Sequence, residues 1–82
     1  MKIYDYKGRK NISGNRIREA RLKKRQSQAD FAAKQQIAGI TMERDSVSRI
    51  EIGTRFVADY ELMIIAETLD VTVDWLLSED CE

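Results

Sequence analysis

Along this chain the apolar residues return at intervals of three and four, the period of helices that bury one face. In "NRIREARLKKR", Ile17 and Ala20 fall on one side with arginines and lysines around the rest, which predicts a first helix over about residues 14–24. Ser27 is a favourable N-cap, and Asp30, three residues on, can do part of the work of glutamate in a capping box. A second helix then buries Phe31 and Ala32 and runs to about Ala38, where Gly39 supplies the left-handed residue that ends it. A third begins inside "ITMERDS", capped by Thr41 or Glu43, turns Val47 and Ile50 inward and closes at Gly53. A fourth starts at Ala58 or Asp59. Its Leu62, Ile65, Ala66 and Leu69 recur at i, i+3, i+4 and i+7 as a buried stripe. Thr72 caps a last short helix, "VDWLL", with Asp74 in the first turn, where the helix dipole favours an acid. Alternation appears only in "KIYDY" near the start, which could be extended. The expected class is all-α: five short helices joined by tight turns.

Composition narrows the function classes. Eighty-two residues without proline, repeats or a low-complexity linker make one small domain. There is no apolar run long enough to cross a bilayer and no signal-peptide pattern, so no membrane partner is expected. Histidine is absent, which removes the commonest general base and metal ligand. The single cysteine, Cys81, can form no internal disulfide and reads as a tail residue, and with these features a reducing, cytoplasmic setting is expected. No nucleophile–base constellation and no phosphate-cradling glycine loop is present. Neither an enzyme nor a cofactor or metal is expected.

Charge changes the picture more. The formal net charge is zero, yet residues 1–27 hold ten bases against two acids, Asp5 and Glu19. From Asp59 to Glu82 there are eight acids and no base. Such segregation offers a polyanion a positive face on a neutral molecule, although a merely solvated basic helix reads the same way. With Val47 and Ile50 inward, the opposite face of the third helix is Asp45, Ser48, Arg49 and Ile52, with Arg44 on the flank. Arginine can pair with guanine O6 and N7, aspartate accepts from cytosine N4, and serine can serve either. Asp45 and Arg49 are also i, i+4 neighbours and could pair with each other instead.

The order "RIREAR…SQADFA…SVSRIEIGTR…YELMIIAETLDVTVDWLL" resembles the Cro/repressor-type (xenobiotic-response-element) helix-turn-helix family over residues 14–77. That resemblance implies a compact five-helix, lambda-repressor-like DNA-binding domain over residues 14–78, preceded by a basic arm, 1–13, and followed by an acidic tail, 79–82. Arg44, Asp45, Ser46 and Arg49 would face the bases. Ser27, Gln28, Glu43, Thr54 and Arg55 would lie at backbone phosphate, and Glu51 would be structural, turned from DNA. Val47, Ile50, Leu62, Ile65, Ala66, Leu69 and Trp75 would be core.

The departures from the family pattern are specific. Ala32 to Glu51 spans nineteen residues where the family uses about fourteen, so the second helix is extended or the turn is a loop, as in a subset with a lengthened turn. Gln35 stands where leucine is usually buried, Asp70 where glycine ends the fourth helix, and Ile52 where a polar residue precedes the glycine. Glu43 replaces a small capping residue and brings negative charge near the phosphate position.

The expected function is a sequence-specific double-stranded DNA-binding regulator, a repressor acting as a homodimer on a pseudo-palindromic operator. Tyr60 and Ile64 on the fourth helix and Leu77 near the end offer two apolar patches, one for the dimer and one to be covered by Ile3, Tyr4 or Tyr6 of the arm. Lys7, Arg9, Lys10, Arg16 and Arg55 would attract the duplex, with Arg9 and Lys10 on its backbone or in the minor groove. The alternative is an antitoxin-like or co-activator-like interaction module of the same fold, whose acidic second half binds a basic protein partner.

Overall fold

The structure, a computed structural model, describes residues 5–78. It is all-α: α1 (Gly14–Lys23), α2 (Gln28–Ile37), α3 (Arg44–Ile52), α4 (Asp59–Leu69) and α5 (Val73–Leu77). The punctuation is local chemistry. Ser27 Oγ accepts from the Asp30 N–H at 3.0 Å while Asp30 Oδ2 accepts from the Ser27 N–H at 3.1 Å, closing the capping box. Thr72 Oγ1 accepts from the Trp75 N–H at 3.0 Å to open α5. Asp70 ends α4 at φ 60°, in the left-handed region that aspartate tolerates better than most residues. Glu43 opens α3 with no side-chain hydrogen bond, so neither it nor Thr41 caps as a side chain.

The core gathers Ile17 and Ala20 of α1, Phe31 and Ala32 of α2, Val47 and Ile50 of α3, Ile65, Ala66 and Leu69 of α4, and Leu76 of α5. Leu62 and Trp75, expected inside, are only partly buried against it. The Trp75 ring lies under Arg16, with the guanidinium 4.7 Å from the ring centroid, so a cation and not an apolar side chain covers part of it. Gln35 is fully buried at the position of the usual leucine, and its Nε2 donates to Thr68 Oγ1 at 2.7 Å.

The lengthened connection between α2 and α3 is a loop rather than extra helix. Residues 38–43 run from the C-cap Ala38 through Gly39 at φ +98° to Glu43. The loop is packed: Ile40 and Met42 belong to the core, and Gln36 Nε2 donates to the Met42 carbonyl at 2.6 Å. Extra length therefore brings extra apolar anchors, which keeps α2 and α3 in register across the longer path.

Of "KIYDY", the segment that could be extended, Lys2, Ile3 and Tyr4 lie outside the described residues; from Tyr6 the chain makes a two-residue turn. Tyr6 and Arg9 exchange backbone hydrogen bonds of 2.7 and 3.0 Å around Lys7 and Gly8, both with positive φ. Ile3, Tyr4 and Cys81, with the acidic tail 79–82, lie outside the described residues. Among the described residues, no helix is long and apolar enough to cross a membrane.

Candidate nucleic-acid interface

The inner side of α3 is held by polar contacts as well as by Val47 and Ile50. Glu51 is 7% exposed and Arg21 of α1 is 6% exposed, and they meet side by side. Arg21 Nε donates to Glu51 Oε2 at 2.7 Å and Nη2 to Oε1 at 3.1 Å, while Nη1 donates to the Gln26 carbonyl at 2.7 Å. Gln28, first in α2, adds its Nε2 to Glu51 Oε1 at 3.1 Å. One carboxylate thus joins three helices. Glu51 is structural and faces away from solvent. Arg21, grouped with the surface bases on sequence, points inward; its position one after Ala20 and four after Ile17 in the buried stripe was the available signal.

The outer side of α3 is the reverse. Arg44, Asp45, Arg49 and Ile52 are exposed, and Ser46 and Ser48 are half-buried. No hydrogen bond or ion pair among the described residues engages the side chains of Arg44, Asp45 or Arg49. The Asp45–Arg49 pair allowed by their spacing is not formed. Asp45, Ser48, Arg49 and Ile52 share this face at i, i+3, i+4 and i+7, and Ile52, 63% exposed, gives it an apolar end.

The residues expected at phosphate divide. Glu43 and Thr54 are exposed at the two ends of α3. Ser27 is occupied as the cap of α2, where its N–H and then its hydroxyl hold the Asp30 carboxyl below its ordinary value, with the charge of Lys34 adding to the effect. Gln28 has its amide on Glu51. Arg55 makes a bidentate pair with Glu61 of α4, Nη1 to Oε1 at 3.2 Å and Nη2 to Oε2 at 3.1 Å. Burial acts to raise the Glu61 carboxyl, but the Arg55 hydrogen bonds, the Ala58 N–H and the Arg55 charge outweigh it and hold it below its ordinary value. Arg55 therefore fastens α4 behind the exit of α3, with its guanidinium already partnered.

The arm differs most from expectation. Arg9 does not reach outward: Nη1 donates to the Ile52 carbonyl at 3.0 Å, Nη2 to the Glu51 carbonyl at 3.2 Å, and Nε to the Asn11 carbonyl at 3.2 Å. Lys10 pairs with Asp5 at 2.8 Å and lies 5.5 Å from the Phe56 ring centroid. Arg16 pairs with Glu19 at 3.4 Å and covers Trp75. Asn11, which nothing in the local pattern marked, donates to the carbonyls of Ile50 at 3.1 Å and Arg55 at 2.7 Å. On α4 the open apolar pair is Tyr60 with Met63, because Ile64 packs against the core. Tyr6 is itself exposed, and it leaves both Tyr60 and Leu77 open.

Comparison of the chain with protein-family models, with curated proteins and with solved structures finds no match in any of the three.

Proposed function

We propose that this chain is a sequence-specific double-stranded DNA-binding transcription regulator that inserts the outer face of α3 into the major groove. The observation that carries the reading is the set of exposed, unengaged charged side chains, the long Arg44 and Arg49 and the short Asp45, on a helix whose opposite side is fixed to α1 and α2. Donor-rich arginines and an acceptor carboxylate are the groups that read guanine and cytosine edges. The resemblance of the sequence to Cro/repressor-type helix-turn-helix domains of lambda-repressor-like fold supports the same reading. It adds a repressor, working in the cytoplasm as a homodimer on an operator with two half-sites about 34–36 Å apart. Tyr60, Met63 and Leu77, exposed on α4 and α5, are the apolar surface available to such a dimer.

Selection from a random pool of duplex DNA at moderate salt tests this. An inverted repeat should be enriched, and Arg44→Ala should relax one base position within each half-site. Retention without enrichment would refute sequence-specific reading. A second reading, a module binding a basic protein, draws on the absence of any base from Asp59 onward. Stoichiometric capture of a basic partner by a protein that enriches no DNA sequence would favour it.

A further inference from the structure

An α-helix leaves its last four carbonyls without intrahelical partners, and the residues just beyond the helix, or water, normally satisfy them. In α3 only the carbonyl of Arg49 is served in that way, by the N–H groups of Gly53 and Thr54, each at 2.9 Å. The next three are taken by the arm: Ile50 by Asn11 Nδ2, Glu51 by Arg9 Nη2 and Ile52 by Arg9 Nη1. The Lys10 N–H takes the Gly53 carbonyl at 2.8 Å, and Asn11 reaches on to that of Arg55 at 2.7 Å. A guanidinium at the negative end of the helix dipole adds a favourable charge interaction.

Two glycines make room for this. A Cβ on Gly53, which sits at φ +99°, would fall 2.6–2.9 Å from the Arg9 guanidinium. A Cβ on Gly14, the first residue of α1, would run into the Ile50 carbonyl oxygen and stand 2.7 Å from Arg9 Nη2. Asn11 Oδ1 meanwhile accepts the Gly14 N–H at 2.8 Å, so one side chain sets the start of α1 and the end of α3 together.

We infer that Arg9 and Asn11 are positioning residues for base reading: the arm clasps the C-terminal turn of α3 and so fixes where Arg49, Ile52 and Thr54 stand against the duplex. This rests on the DNA-binding reading of α3 and deepens it. It also reverses the role that a basic arm suggests, because Arg9 acts on the helix and makes no phosphate contact.

The two roles separate in experiment. Each phosphate contact contributes about one unit to the slope of log affinity against log salt. Arg9→Ala and Arg9→Lys, at a temperature where both remain folded, should bind the selected operator roughly tenfold more weakly. Their salt slope should match that of the unaltered protein, and discrimination at the bases read by Arg49 should relax. Lysine should not rescue, since a single ammonium cannot bridge the carbonyls of Glu51 and Ile52 as the planar fork does. Amide exchange at Gly53 and Thr54 should quicken in both variants while α4 amides hold. A slope lower by about one unit with rescue by lysine would make Arg9 a phosphate contact and overturn the inference, as would unchanged exchange at Gly53 and Thr54. Exchange needs no DNA. Quickened exchange in a protein that selects no operator would therefore overturn the DNA reading and leave the clasp on α3 standing.

Discussion

On the inner side of α3, Glu51 accepts three hydrogen bonds from Arg21 and Gln28; on the outer side, the side chains of Arg44, Asp45 and Arg49 donate and accept none within the described residues. Both sides carry charge, yet burial gives the charges different meanings. Inside, an ion pair must be satisfied completely, since each lost partner leaves a charge in a medium that solvates it poorly. Outside, water satisfies the same groups until another surface replaces it. A sequence with as many acids as bases can thus place them where they lock a helix and where they leave it available.

Breaking the inner set should give the largest effect. Glu51→Ala leaves the Arg21 guanidinium buried with the Gln26 carbonyl as its remaining partner, and should cost about 3–5 kcal/mol in urea unfolding. Replacing both members by apolar residues of similar size, Glu51→Leu with Arg21→Met, should recover much of that loss. A loss in Glu51→Ala under about 1 kcal/mol, the size for exposed pairs, would show that water reaches the site. On the outer face, Arg49→Ala should leave unfolding within about 0.5 kcal/mol of the original, since nothing in the fold depends on it. It should nevertheless weaken binding to a selected operator by about 1–3 kcal/mol. Equal effects on folding and binding would erase the difference between the two sides.

The Arg55–Glu61 pair is less buried than the inner pair, and its effect, smaller than that of breaking the inner set, should be visible through pH. The folded Glu61 carboxyl is held below its ordinary value of 4.5, so its contribution is complete above that value and is lost as pH falls through the lower folded value. Glu61→Gln should therefore be destabilising at pH 7, with the gap to the original protein closing in acid below about pH 4.5. A gap that stays constant down to pH 3 would remove the ion pair as its cause.

Much of this fold was legible because its signals are local. Ser27 with Asp30, Thr72, Gly39, Gly53 and Asp70 mark helix ends within a few residues of themselves, and the stripe from Leu62 to Leu69 fixes the buried face of α4. The outer face of α3 followed from the inward placement of Val47 and Ile50. What stayed hidden depends on partners far along the chain. Arg21 looks like any surface base until Glu51 is brought beside it, thirty residues on. Arg9 and Asn11 look like a solvated basic arm until the end of α3 presents its carbonyls. The longer connection before α3 was visible as a count, but the packing of Ile40 and Met42 that anchors it to the core was not.

The clasp on α3 also bears on the order in which the molecule assembles. Arg9 and Ile52 are 43 positions apart, and Asn11 and Arg55 are 44 apart. Closing so long a loop costs entropy before any contact rewards it, whereas the early turns of α3 need only their neighbours. On that ground the first turns of α3 are expected to form with the local chain and its last turn to be completed by residues 9–11, an order that faster amide protection at the start of α3 than at Gly53 during refolding would check. The part of the helix that carries Arg49 and Ile52 thus has the carbonyls of Ile50, Glu51 and Ile52 satisfied from outside the helix, by side chains some forty positions away.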